Sequence, residues 1–107
     1  MARSRPYVAS LLQALKDPDE AAAYLDAALE DGNTEAFLLA LRRVAEARLG
    51  GMSQLADAAT LNRENLYRML STQGNPTLVN LEKMLHALGL RLSVATDLQS
   101  TCVADEA

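Results

Sequence analysis

The chain has 107 residues, half of them apolar, with no Trp, one Phe and three Tyr. This length suits one compact domain and is too short for two domains of ordinary size. Ten basic and fourteen acidic residues give a net charge of −4, which for the chain as a whole argues against nucleic-acid binding. The single Cys and single His, Cys102 and His86, exclude an internal disulfide and a metal site built from several Cys or His ligands.

Neither a membrane segment nor a secretory signal is visible in the sequence. No run of about 18 apolar residues occurs, and the N-terminal residues lack the apolar stretch of a signal peptide. We therefore expect a cytoplasmic protein with no membrane partner. Ala and Leu account for 39 of the 107 residues, and since both favour helices while Gly and Pro are few, composition predicts an all-α fold.

The first two predicted helices lie in an acidic N-terminal part. Apolar spacing predicts a helix over residues 7–15. Asp17 then fits an N-cap, Pro18 the first helical position and Glu20 the far corner of a capping box. We expect this second helix to end at Gly32, which suits a left-handed stop.

Four further helices are predicted from residues able to cap them. Their expected N-caps are Asn33 for a helix leading to Gly50 and Gly51, Ser53 for residues 54–59, Asn62 for residues 63–71, and Thr77 for a helix ending at Gly89. The last helix has an apolar stripe of Leu78, Leu81, Leu85 and Leu88. Apolar residues then alternate with others over residues 90–95, which predicts one short C-terminal strand.

Residues 52–70 hold two short capped helices separated by a few residues. Apolar positions on each are spaced to face the other, namely Leu55, Ala56, Ala59, Leu61, Leu66, Met69 and Leu70. A small residue such as Ala56 is needed where two helices cross closely. This is the pattern of a helix-turn-helix, whose second helix enters the major groove of DNA.

The chain resembles the Cro/C1-type (XRE) helix-turn-helix domains, and more closely the addiction-module antidote proteins, which are antitoxins encoded beside RelE/HigB-like toxins. The resemblance covers roughly residues 15–95 and lies in residues 17–25, 27–32, 40–42, 51–56, 64–68, 74–77 and 88–94. Residues 18–29 and 74–77 favour the antidote family over other repressors. One departure is Thr60, where the turn of this motif commonly has Gly because the backbone needs a positive φ. We expect a slightly rearranged turn there.

The resemblance implies a lambda-repressor-like bundle that binds double-stranded operator DNA, neutralises a RelE/HigB-like toxin and represses its own operon. By position, the second helix of the motif offers its outer side to base edges, where arginine suits guanine and asparagine suits adenine. The start of the first helix suits phosphate. The candidate DNA contacts are Ser53, Gln54, Asn62, Arg63, Glu64, Tyr67, Arg68 and Asn75, with Gln73 as a further candidate.

Charge is distributed unevenly along the chain. Residues 1–35 carry a net −4, residues 36–95 a net +3 and residues 96–107 a net −3. We expect an acidic helical N-terminal extension (1–33), a helix-turn-helix domain (34–95) and a flexible acidic tail (96–107). The acidic residues 17–35 either contact the toxin or form a lid that completes the core, and both alternatives remain open.

We expect no enzyme activity and no cofactor, because no nucleophile, base and orienting group can be assembled around His86. Repressors of this kind read palindromes as two-fold dimers, so a homodimer is expected, through the predicted strand, the helix after Thr77, or both. Two other functions stay open. One is a stand-alone XRE-type repressor without a toxin, and the other is a structural module that does not bind DNA.

Overall fold

The computed structural model describes residues 4–71 and 73–96 of the chain. These residues form six helices, α1 (Ser4–Ala14), α2 (Pro18–Glu30), α3 (Thr34–Leu49), α4 (Met52–Ala59), α5 (Arg63–Met69) and α6 (Leu78–Ala87). The predicted all-α class is therefore confirmed for this part of the chain. Among its helices, none has both the length and the apolar character needed to cross a bilayer.

Most helices begin where the sequence predicts, because the capping side chains act locally. In each case a side-chain oxygen accepts a hydrogen bond from a backbone N–H at the start of the helix. These bonds join Asp17 Oδ1 to Asp19 N at 2.8 Å, Asn33 Oδ1 to Ala36 N at 3.2 Å, and Thr77 Oγ1 to Asn80 N at 3.2 Å. The expected capping box at Glu20 is not formed, because the Asp17 N–H donates to the Ala14 carbonyl oxygen instead.

The start of α4 differs from the prediction. Gly50 and Gly51 have φ of 103° and 146°, values that L side chains rarely adopt. This glycine pair redirects the chain directly after α3, so Gly51 takes the N-cap position and its carbonyl oxygen accepts from the Leu55 N–H at 3.1 Å. Ser53 is consequently the second residue of α4, and its predicted role as N-cap is wrong.

The predicted C-terminal strand is absent, because residues 90–96 have no strand pairing with the described part of the chain. A strand is stable only when its backbone groups pair with a neighbour. Leu90 and Leu92 instead lie half-buried against the core, and Val94 is exposed. The alternation of apolar residues therefore reflects one-sided packing of an irregular segment.

The apolar stripe of α6 is shorter than predicted. Leu85 and Leu88 are buried and Leu81 is half-buried, but Leu78 is 65% exposed. The first turn of α6 extends past the core, and Met84 takes a buried position in its place.

One buried cluster connects the helices. It joins Leu15, Ala21 and Leu25, at the N-terminal end of the chain, to the apolar faces of α3, α4, α5 and α6. Helices α1 and α2 pack on α3, and α4 packs on α3, α5 and α6. Helix α3 is thus shared between the acidic N-terminal part and the α4–α5 pair. The boundaries expected at residues 33 and 95 stay predictions, and residues 97–107, with Cys102, lie outside the described residues.

Candidate nucleic-acid interface

Helices α4 and α5 are joined by a tight turn of residues 60–62. Thr60 has φ 58° and ψ 49°, which is the left-handed conformation. Its N–H donates to the Asp57 carbonyl oxygen at 3.2 Å, and the Leu61 N–H donates to the Ala56 carbonyl oxygen at 2.8 Å. The turn keeps the positive φ that usually requires Gly, so the expected rearrangement is wrong and Thr60 carries the strain instead.

The inner sides of α4 and α5 form the predicted apolar contact. Leu55, Ala56 and Leu66 are fully buried, and Leu70 follows α5 into the same core. Ala56 has a side chain small enough to let neighbouring helices pack closely around α4. Helix α5 is therefore fixed by its inner side, and its outer side is free to face a ligand.

Asn62 is the N-cap of α5. Its Oδ1 accepts hydrogen bonds from the Glu64 N–H at 2.8 Å and the Asn65 N–H at 3.2 Å. A bidentate contact with adenine needs this same oxygen together with Nδ2. The oxygen is already occupied by two donors, so Asn62 is placed to set the start of α5.

The outer side of α5 presents four of the predicted residues together. Arg63, Glu64, Tyr67 and Arg68 are all exposed, with 51% exposure at Tyr67. Spacings of three and four residues put them on one helical face. Asn65 is also exposed, although the sequence analysis did not include it among the candidate contacts. It lies three residues before Arg68, and this helical spacing could have identified it.

The loop after α5 is held against the end of that helix. A β-carbon at Gly74 would overlap the Met69 carbonyl group, and the Gly74 N–H donates to the Ser71 carbonyl oxygen at 2.9 Å. Asn80 Nδ2 lies 3.3 Å from Met69 Sδ, which joins α6 to α5. The predicted contact Asn75 is exposed in this loop.

The predicted phosphate contacts lie in the first turn of α4. Ser53 is half-buried and Gln54 is exposed. The Gln54 side chain lies close to the glycine pair that precedes α4, since a β-carbon at Gly51 would lie 3.2 Å from Gln54 Oε1. Gln73, the further candidate, is exposed before Gly74 and belongs to the loop after α5.

A further positive charge lies near the end of α5. Arg42 of α3 lines a hollow of about 330 Å³ together with Leu70 and Ser71. Ser71 Oγ donates to the Arg68 carbonyl oxygen at 2.8 Å and so caps the last turn of α5. Arginines 42, 63 and 68 therefore supply cationic groups along α5 and at its end.

The family of the chain is shown by comparison with known proteins. A family model described as "Probable addiction module antidote protein" matches residues 8–96. The chain belongs to this family. It is also 41% identical over 80 residues to an uncharacterised protein of Haemophilus influenzae (strain ATCC 51907 / DSM 11121 / KW20 / Rd), covering 75% of this chain and 80% of that protein. No solved structure is significantly similar to the chain.

Membership of an antidote family implies a toxin as the partner. The matched residues include α2 to α6 and most of α1, so the match extends over the N-terminal helices as well as the α4–α5 pair. Within the described residues, no group of three or more His, Cys, Asp or Glu side chains is arranged to hold a metal ion.

A contact that the sequence did not indicate joins the two ends of the family match. Arg48 Nε donates to the Leu88 carbonyl oxygen at 2.8 Å, and Arg48 Nη1 donates to the Lys16 carbonyl oxygen at 2.7 Å. One side chain of α3 thus bridges the residues before α2 and the end of α6. Its partners are 40 and 32 residues away along the chain, so no local sequence pattern could have predicted the contact.

Proposed function

We propose that the chain is the antitoxin of a type II toxin-antitoxin module. In this proposal it binds and neutralises a RelE/HigB-like toxin, and it represses its own operon by sequence-specific binding of double-stranded DNA through a helix-turn-helix of α4 and α5. The observation that carries the DNA-binding part is the exposed face of α5, which holds two arginines and a tyrosine on a helix anchored by the buried Leu66.

The exposed side chains suit distinct parts of the duplex. Arg63 and Arg68 have the forked geometry that pairs with guanine O6 and N7 or with phosphate, and Glu64 suits the cytosine amino group. The remaining candidates suit the phosphate backbone and fix the register of the helix in the groove. These are Ser53, Gln54, Tyr67 and Asn75, with Asn62 holding the first turn of α5.

We further propose a homodimer that reads a palindromic operator. Two-fold repressors place their recognition helices about one DNA turn apart. In this chain the first turn of α6 exposes Leu78 and Val79, and burying such a pair against a second copy would favour association. Light scattering at tens of micromolar should give the mass of two chains, and a monomeric mass would contradict the dimer.

The DNA-binding part is tested by titrating the chain into a labelled duplex of the promoter upstream of its own gene. Fluorescence anisotropy should show binding that weakens steeply with salt, because neutralising phosphates releases counterions. A scrambled duplex of the same length is the control. Equal affinity for both duplexes would contradict sequence-specific repression, and no binding to either would leave a structural module.

The toxin part is tested by co-expression with the adjacent reading frame of the operon. We expect the adjacent protein to arrest growth alone, and growth to recover when this chain is expressed with it. If the neighbour is harmless while the promoter is bound, the chain acts as a stand-alone XRE-type repressor instead.

A further inference from the structure

A groove of about 740 Å³ lies between α2 and the segment that follows α6. Its floor is apolar and includes the buried Leu25, Phe37 and Leu85. One wall is α2, and the other is formed by residues 89–93. On the α2 wall Leu29 is 52% exposed, so the groove has an apolar edge as well as an apolar floor.

The groove is preformed in the single chain. Arg48 bonds the Lys16 carbonyl oxygen just before α2 and the Leu88 carbonyl oxygen just before residues 89–93. A β-carbon at Gly89 would lie 3.2 Å from Arg48 Nη2, so the second wall passes close over this side chain. Because both walls are hydrogen-bonded to one guanidinium, binding of an occupant does not carry the entropic cost of ordering them.

The charge around the groove indicates which kind of partner would bind there. Residues 17–41 contain seven carboxylates and no Lys or Arg. All seven are exposed, and Asp26 lies on the groove wall. The opposite wall carries Arg91, which offsets only a small part of this negative field. A positively charged partner is therefore attracted to this side of the molecule.

The same charge argues against two other occupants. A second copy in a two-fold arrangement would bring two acidic α2 helices together, and like charges at an interface are unfavourable. Residues 97–107 contain three acidic residues and no basic one, so their charge does not complement this side of the molecule either.

We propose that this groove is the docking site for the toxin, which inserts the apolar side chains of a segment flanked by Lys or Arg between α2 and residues 89–93. The proposal rests on the antitoxin function proposed above. Leu29 is the contact expected to matter most, because it is the half-exposed apolar side chain at the edge of a preformed pocket.

The test measures the affinity of the full chain for the purified protein from the adjacent reading frame, by isothermal titration calorimetry. Leu29→Glu should weaken binding about tenfold or more. Ala22→Gln, which fills the groove from an exposed position on α2, should weaken it in the same direction. Leu39→Glu is the matched control, since Leu39 is 44% exposed but lies outside the groove.

Charge is tested with a second pair of variants. Asp26→Lys should slow association with the toxin, and the difference from the unmodified chain should shrink at high salt. Glu46→Lys is the control, because Glu46 is exposed on α3 nine residues from Phe37 and so lies on the opposite face of that helix. Far-ultraviolet circular dichroism confirms that each variant is folded.

Each outcome decides the proposal. Weaker binding for both groove variants, with the controls unchanged, supports docking in the groove. Unchanged affinity for the groove variants overturns the docking site and leaves the antitoxin function standing. No complex with the unmodified chain overturns both. If Leu29→Glu only converts a dimer to a monomer by light scattering, the occupant is a second copy and toxin docking there is wrong.

Discussion

Arg48 of α3 donates a hydrogen bond from Nε to the carbonyl oxygen of Leu88, at 2.8 Å and across 40 residues of sequence. The last carbonyl groups of a helix lack partners within that helix, and here a guanidinium supplies one at the end of α6. The same side chain reaches Lys16. One side chain therefore links the residue before α2 to the end of α6, in addition to the buried core that these segments share.

Replacing this arginine tests its structural role. Arg48→Met keeps much of the side-chain length but removes both hydrogen bonds, and it should lower the free energy of unfolding by about 1–2 kcal/mol. The loss stays within this range because the half-buried site lets water reach the two carbonyl groups. Urea unfolding followed by circular dichroism measures it. Arg42→Met, at an exposed position on the same helix, should change stability by less than about 0.5 kcal/mol. Equal losses in the two variants would show that the bridge contributes nothing.

Because Thr60 adopts the left-handed backbone conformation, we expect its replacement by Gly to stabilise the protein. Thr60→Gly relieves a β-branched residue at φ 58° and should raise the free energy of unfolding by about 1 kcal/mol, after the entropy that Gly adds to the unfolded chain. Thr34→Gly is the matched control, because Thr34 is the first residue of α3, where Gly should lower stability. Thermal unfolding measures both changes. A destabilised Thr60→Gly protein would mean that the threonine side chain makes a contribution larger than its strain.

At Gly74 we expect a substitution to lower the free energy of unfolding, because the added side chain would meet the backbone of α5. A β-carbon there would overlap the Met69 carbonyl group, so Gly74→Ala forces the loop away from the end of α5 and should cost about 2–3 kcal/mol. Gly32→Ala is the comparison, since Gly32 has φ 72° but nothing within 4 Å of the added carbon. It should cost about 1 kcal/mol from backbone conformation alone. If Gly74→Ala is as stable as the unmodified chain, the close approach of the loop to α5 is wrong.

Variants at Asn62 distinguish a role in capping α5 from a role in reading a base. Asn62→Ala should lower the free energy of unfolding by about 1 kcal/mol, because two N–H groups at the start of α5 lose their acceptor. Asn62→Ser restores an acceptor and should recover both stability and affinity for the promoter duplex. A serine variant with full stability but much weaker DNA binding would show instead that Asn62 reads a base.

The sequence predicted those features that depend on neighbouring residues. Asp17, Asn33, Asn62 and Thr77 were correctly assigned as N-caps because each acts within three residues of its own position. The α4–α5 pair was found for the same reason, since its buried positions follow helical spacing.

The errors arose where distant parts of the chain decide the local structure. Residues 90–95 alternate like a strand, but no neighbouring strand exists for them within residues 4–71 and 73–96. Ser53 suits an N-cap, but Gly51 took that position because the preceding glycine adopts a positive φ. The Arg48 bridge and the groove beside α2 depend on how α3 brings the two ends of the family match together, which spacing along the sequence does not reveal.

Titration of the chain into its own promoter duplex tests the central claim that the outer face of α5 reads DNA. Arg68→Ala should weaken binding by about 1–3 kcal/mol, because one forked contact to a base or phosphate is lost. Arg91→Ala, which removes an exposed arginine from the groove beside α2, should bind as the unmodified chain does. Unchanged affinity in both Arg68→Ala and Arg63→Ala would contradict the account.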